Sequence, residues 1–240
     1  MRYHLELIGP DERNQLFERY EARYLYSSKC ELHGTCIRLL TDQERTDQTW
    51  DNNFYGMAES VRSHGRLIVL NDPQQQTGVK YDPLTRTAFM FNIDYYGWVK
   101  SIALALAGDI LEDEHQIYSV HGAALDMDGK GVTLIAPSKT GKTTHSWGLL
   151  RSKDARLVTD DWYYVRLSER RPVAFGSEKN CYIDADIGTI WEEYRGLVER
   201  AKLDNRKRAV VSVRWVTGKG SVVPMTTIYD IVLLKRDRDD

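Results

Sequence analysis

Residues Ala136, Pro137, Ser138, Lys139, Thr140, Gly141, Lys142 and Thr143 form the most constraining stretch of this chain. The apolar run Val132 to Ala136 before them reads as a strand, and Thr143 to Leu150 after them reads as a helix. A strand that turns into a helix through Gly-Lys-Thr leaves the first N–H groups of that helix unpaired, at the positive end of its dipole. Such a corner is built for an anion. The stretch matches the phosphate-loop (Walker A) pattern G-x-x-x-x-G-K-[ST] with Ala136 at the first glycine, a position that accepts a Cβ while φ stays negative. In such a loop Pro137, Ser138, Lys139, Thr140, Gly141 and Thr144 frame a polyphosphate. Lys142 neutralises its outer phosphates, and the Thr143 hydroxyl binds Mg²⁺.

A second element lies a helix-length downstream. The apolar run Leu157-Val158-Thr159 ends in Asp160-Asp161, the form of a metal-holding strand end. Paired carboxylates allow two roles, one binding the metal and the other accepting a proton from an attacking hydroxyl. A third element, His121-Gly122, sits within the apolar segment Tyr118 to Met127. Asp126 to Gly131 joins that segment to the loop strand with the Asp and Gly content of a hairpin turn. A fourth, the basic stretch Asp204-Asn205-Arg206-Lys207-Arg208 with Arg214 beyond it, offers arginines that could approach a transferring phosphoryl group or simply form a solvated turn.

In this order the elements resemble the HPr kinase and phosphoenolpyruvate carboxykinase superfamily: a His-Gly strand, a hairpin, a phosphate loop and an Asp-Asp strand end. The resemblance runs from Tyr118 to Asp186, with Asn180-Cys181-Tyr182 similar to the carboxykinase stretch after the acidic pair. It implies an α/β fold with a mixed-sheet P-loop core of that type, to which the pattern of the first half adds the expectation of a smaller, less regular N-terminal region. It implies ATP with Mg²⁺ or Mn²⁺, and metal ligation by Thr143, Asp160, Asp161 and His121. It also implies catalysis by Lys142, by Asp160 or Asp161 as base, and by Arg206 or Arg208. Ala136 and Lys139 stand where glycines are common in the family loop, and no HPr kinase signature segment follows the acidic pair, which points away from HPr as acceptor. The expected activity is therefore transfer of the γ-phosphoryl group of ATP to a hydroxyl, a serine-type alcohol of a peptide, protein or small metabolite. A catalytically weak ATP-binding regulatory module and a carboxykinase-like lyase are the alternatives.

The rest of the chain bounds this reading. With 33 Lys and Arg against 35 Asp and Glu among 240 residues, the net charge of −2 gives no overall pull toward nucleic acid or an anionic membrane. The total hides two opposed segments: six acids and no Lys or Arg from Asp109 to Asp128, and eight Lys or Arg with two acids from Arg195 to Lys219. Three cysteines (Cys30, Cys36, Cys181) argue for a reducing compartment, and the cytoplasm is the expected location. Cys30, His33 and Cys36 lack a second ligand pair with zinc spacing. Met1 to Glu6 carries an acid where a signal peptide would need an apolar run, and the longest strongly apolar run, Ile102 to Ala107, is short for a membrane span, so neither export nor insertion is expected. An oligomer is left open.

Short apolar runs (Cys36 to Leu40, Arg66 to Leu70, Ala88 to Ile93) predict strands separated by polar loops such as Asp42 to Asp51, with a charged helix over Asp11 to Tyr24. Trp98 to Leu111 predicts an amphipathic helix opening the catalytic region, so residues 1–97 are expected to form an acceptor-binding region and 98–240 the catalytic domain. Further expected elements are strands at Arg156 to Thr159, Trp162 to Leu167, Ala209 to Val216 and Ile228 to Leu234, and a helix over Ile187 to Ala201.

Overall fold

A computed structural model describes residues 4–137 and 140–235. Ser138 and Lys139, expected in the phosphate loop, lie outside the described residues. The chain divides into two compact units, Met1–His115 and Gln116–Asp240. Both are α/β with mixed sheets.

The first unit runs β1 (His4–Leu7), α1 (Pro10–Tyr20), β2 (Tyr26–Leu32), β3 (Thr35–Thr41), α2 (Glu44–Asn53), β4 (Tyr55–Gly56), β5 (Gly65–Leu70), β6 (Gly78–Asp82), β7 (Thr87–Phe91) and α3 (Tyr96–His115). Its seven strands lie in the order β1-β6-β7-β5-β3-β2-β4. Leu40, Ile68 and Phe89 stand side by side across β3, β5 and β7 and join Leu16 and Tyr20 of α1 in one apolar cluster. Helix α3 lies along β3, β5 and β7.

Three expectations change here. The boundary falls after His115 rather than at residue 97, because α3 packs on the first sheet; an amphipathic pattern declares a core face without saying which core. The N-terminal region is a regular sheet-and-helix unit, not a small irregular one. Part of that regularity was hidden in Asp42 to Asp51, expected as loop, where α2 forms. Only Thr46, Trp50 and Asn53 of α2 are buried, so its spacing of i, i+4, i+7 is helical while its composition is polar.

The second unit runs β8 (Ile117–Val120), β9 (Gly122–Met127), β10 (Lys130–Ile135), α4 (Lys142–Leu149), β11 (Ala155–Thr159), β12 (Tyr163–Arg166), β13 (Val173–Gly176), β14 (Cys181–Asp184), α5 (Ile187–Ile190), α6 (Arg195–Arg200), β15 (Arg208–Val211), α7 (Arg214–Thr217) and β16 (Met225–Leu233). Its main sheet has the order β11-β9-β10-β16-β13-β12-β8, and β14 pairs with β15 in a separate ribbon. The expected hairpin is present: β9 and β10 pair antiparallel with Met127 opposite Lys130, and Asp128 and Gly129 take φ of 52° and 82°. Two positive φ angles between antiparallel strands match the right-handed twist of the pair.

The expected single segment Tyr118 to Met127 is two strands. β8 and β9 are one residue apart in sequence, yet β8 lies at one edge of the sheet and β9 next to the other edge. The sheet therefore curls until its wings meet, and the chain steps from wing to wing at His121. It steps again between β11 and β12, at Asp160, Asp161 and Trp162. Two further expectations are corrected. Ile187 to Ala201 is α5, a short 3₁₀ turn at Glu192–Tyr194 and α6 in place of one helix. Ala209 to Val216 is a strand only to Val211, after which α7 begins. Both segments lay their apolar residues (Ile187, Tyr194, Leu197, Ala209, Val211, Val213) against Trp147 and Leu157, and burial from several short elements mimics one long periodic one.

Candidate functional site

Strand β10 lies between β9 and β16, and the loop after it leads into α4. Gly141 caps α4 with φ 100° and ψ 15°, a left-handed conformation that costs any L side chain and accounts for glycine there. Ala136 is absent from the positive-φ residues, so its Cβ is accommodated as the sequence required. Lys142 is the first residue of α4 and only 8% exposed. Its ammonium donates to the Ala136 carbonyl (3.1 Å) and lies 3.2 Å from His121 Nε2. The same His121 nitrogen is 3.1 Å from Asp161 Oδ1. Loop, His-Gly step and acidic strand end thus meet in one chain of polar contacts.

The fold explains why these residues meet. His121 and Asp160-Asp161 both occupy the steps where the chain changes wings of the curled sheet, beside the end of β10. Gly122 is needed at the first step: a Cβ there would lie 2.9 Å from the Leu134 carbonyl oxygen and 3.0 Å from the Tyr163 ring. At the second step, Ser177 Oγ donates to the Trp162 carbonyl (2.5 Å).

The two carboxylates differ. Asp160 is 1% exposed, and Oδ2 accepts from Trp147 Nε1 at 3.3 Å. Trp147 is held by an edge contact with Tyr194, whose hydroxyl donates to the Trp147 carbonyl at 2.8 Å. Burial pushes the Tyr194 phenol up to about 12, with Glu193 adding to the rise. The Asp161 side chain, by contrast, is one-third exposed and the His121 ring half exposed. The His121 ring stacks on Trp162, with centroids 5.7 Å apart. One imidazole nitrogen thus faces an ammonium, which only donates, and a carboxylate, which only accepts. A neutral imidazole satisfies one of them at a time.

The remaining expected residues are placed as follows. Pro137 is exposed, and its carbonyl accepts from Thr140 N at 3.3 Å. Thr143 lies in the first turn of α4, and the Thr144 carbonyl accepts from Trp191 Nε1 at 3.0 Å. Arg206 sits at the exposed turn between Asp204 and β15, where its N–H donates to Asp204 Oδ1 (2.8 Å), and Arg208 Nε donates to Asp184 Oδ1 at 2.7 Å. Arg214 donates to the Lys179 carbonyl at 3.0 Å. These ties hold the arginines to the β14-β15 ribbon and the segment before it. Trp147 and the stacking role of Trp162 were missed from sequence. Trp147 carried a weak signal, as an aromatic one turn beyond Lys142 in a short polar helix.

Two observations bear on a nucleotide with its metal. Thr159 Oγ1 and Trp162 Nε1, flanking the acidic pair, are buried and make no hydrogen bond among the described residues. Buried polar atoms without partners call for an explanation, and a polar ligand supplies one. The hydroxyl and carboxylate oxygens of this donor set suit Mg²⁺ or Mn²⁺, whereas His121, expected as a ligand, turns its Nε2 to Lys142 and Asp161. Among the described residues no three His, Cys, Asp or Glu side chains form a metal-binding group on their own. Mg²⁺ bound through one or two carboxylates and substrate phosphates needs no such group. These residues therefore fit the pair. No described helix is long and apolar enough to cross a membrane.

No protein-family model matches the chain, and no curated protein matches it. A solved structure similar to it is the HPr(Ser) kinase/phosphatase from Coxiella burnetii. The two are 18% identical with a TM-score of 0.34, over 51% of this chain and 67% of that one. Likeness at that level carries no argument, and the functional reading rests on the site.

Proposed function

We propose that the second unit is an ATP-dependent phosphotransferase that moves the γ-phosphoryl group to a hydroxyl of a peptide, protein or small molecule. The observation that carries this is the run of contacts from the Ala136 carbonyl through Lys142 and His121 to Asp161. It puts an ammonium and a one-third-exposed carboxylate on either side of one imidazole.

Each residue has a distinct part. Gly141 and the first turn of α4 present N–H groups to the phosphates, and Lys142 exchanges its contacts with Ala136 and His121 for phosphate oxygens. Once Lys142 turns to phosphate, the His121 Nε2–H donates to Asp161 without competition and orients that carboxylate. Asp161, the more accessible acid, takes the proton of the attacking hydroxyl. Asp160, buried and fixed by Trp147, is the metal-side carboxylate together with the Thr143 hydroxyl. A metal held there would supply charge neutralisation for the transferring phosphoryl group. Arg206 and Arg208 remain candidates for transition-state contact, which requires Arg208 to leave Asp184.

The test is transfer of label from γ-labelled ATP, in Mg²⁺, to a panel of hydroxyl acceptors. Label should reach at least one acceptor with the native chain and none above background with Lys142→Ala. Undiminished transfer by Lys142→Ala would overturn the reading.

A further inference from the structure

The first unit carries charges that the proposed reaction does not use. On the sheet face that α1 covers, the row Leu40, Ile68, Phe89 is apolar. Two residues along the same strands the row becomes Lys29, Arg38, Arg66, Thr87 and Asp82, directly opposite one another across β2, β3, β5, β7 and β6. Cβ atoms in such a row stand about 4.5–5.5 Å apart, and like charges set opposite repel. Gly65 confirms the facing: a Cβ there would meet Ile110 of α3, so its neighbour Arg66 points to the other side. Arg13 of α1 and Arg62 of the segment before β5 complete the group. Burial, and then the guanidiniums of Arg13, Arg38 and Arg62, lower the proton affinity of Arg66.

Partners cover only part of this charge. Lys29 is taken by Glu59 (3.2 Å) and the Val61 carbonyl (3.0 Å). Arg13 Nε approaches Asp82 at 3.5 Å but is buried with no hydrogen bond. Arg38 donates to the Ser27 hydroxyl at 3.0 Å, and the Arg66 guanidinium sits 5.9 Å from the Phe17 ring centre. Among the described residues no carboxylate pairs with Arg38, Arg62 or Arg66. The acids facing these cations are Glu59, Asp82 and Glu31, the last one row along β2 and bonded to Gly34 N. On the same face Lys80 of β6 is held by Glu6 (3.0 Å) and Glu12 (2.6 Å), so six cations face five carboxylates, and the paired carboxylates are gathered on Lys29, Arg13 and Lys80 rather than on Arg38, Arg62 and Arg66.

A solvated basic surface spreads its charges into water. Here they are stacked in register and partly buried, which raises the energy of the empty face and lowers it when an anion arrives. We propose that this face binds a phosphate-bearing anion, with Arg38 and Arg66 as forked donors and Arg62 and Arg13 at its sides. A phosphate group offers a separate oxygen to each guanidinium; a single carboxylate has only two to share among them. The site stands on the first unit alone and does not depend on the phosphotransferase reading.

The test is calorimetric titration of the full chain carrying Lys142→Ala, so that the phosphate loop does not contribute, with inorganic pyrophosphate and separately with a phosphoserine peptide. Binding of pyrophosphate points to a free phosphorylated molecule, and binding of the peptide alone to a phosphate borne on a protein; either supports the site. Adding Arg38→Gln and Arg66→Gln should weaken binding at least tenfold. Arg66→Lys, which keeps the charge and loses the fork, should weaken it less. Without anion, Arg38→Gln should melt at the same temperature or higher, because a repulsion is gone. No binding of either probe, equal affinity in the double variant, or a lower melting temperature for Arg38→Gln would overturn the proposal. Loss of label transfer in the otherwise native chain would leave it untouched.

Discussion

Lys142 in the second unit and Arg66 in the first are both partly withdrawn from water, and their surroundings treat them in opposite ways. Lys142 has a carbonyl and an imidazole within 3.2 Å and a carboxylate one residue further along. Arg66 has three other guanidiniums around it, a phenyl ring at 5.9 Å and, among the described residues, no carboxylate partner. A cation whose donors are already aimed at polar atoms is preorganised, and exchanging those atoms for phosphate oxygens requires little rearrangement. A cation held among like charges is strained until an anion comes. The first arrangement suits a reaction that repeats, the second a ligand that stays.

The contrast can be broken most severely at Lys142. Lys142→Ala should reduce label transfer about 10²–10³-fold, the range for loss of one preorganised electrostatic group, and should abolish the rise in melting temperature with ATP and Mg²⁺. A smaller effect is expected from Trp147→Ala, which removes a fully buried side chain and the donor to Asp160. Denaturant unfolding should show a loss of about 3–5 kcal/mol, whereas Trp147→Phe, which loses the hydrogen bond but keeps most of the packing, should cost less, about 1–3 kcal/mol. Gly141→Ala forces a Cβ into φ 100° and should cost about 1–2 kcal/mol of stability, with weaker ATP binding in a thermal-shift titration.

The smallest effect is a pH dependence. The Tyr194 phenol is pushed up to about 12 in the folded chain, from an ordinary 10.0. A raised acid contributes stability that is complete below its unfolded value and is lost as pH climbs through its folded value. Stability should therefore fall between about pH 10 and 12, and Tyr194→Phe should flatten part of that slope in alkaline melting curves.

How much was legible in the sequence follows from range. The Gly141-Lys142-Thr143 corner, the Asp128-Gly129 turn and the Asp160-Asp161 strand end are local patterns, set by residues a few positions apart, and the structure forms the turn, the strands and the helix around them. What escaped depends on distant contacts. No local rule announces that the chain changes sheet wings at His121, or that Trp147 reaches back to Asp160. Helix α2 is nearly all polar, and only its partners show that Trp50 is its anchor. The acidic pair could not be divided from sequence, since two adjacent aspartates look alike until one is buried against an indole and the other is left at the rim.

That division gives the most direct test of the central claim, that Asp161 is the base and Asp160 the metal-side carboxylate. Label transfer and ATP binding should be measured together for Asp161→Asn and Asp160→Asn at saturating Mg²⁺. Asp161→Asn should keep its ATP-induced thermal shift and lose about 10²–10⁴-fold in transfer rate, while Asp160→Asn should lose the Mg²⁺-dependent part of the shift as well. Full transfer by Asp161→Asn, or loss of transfer confined to Asp160→Asn, would contradict it.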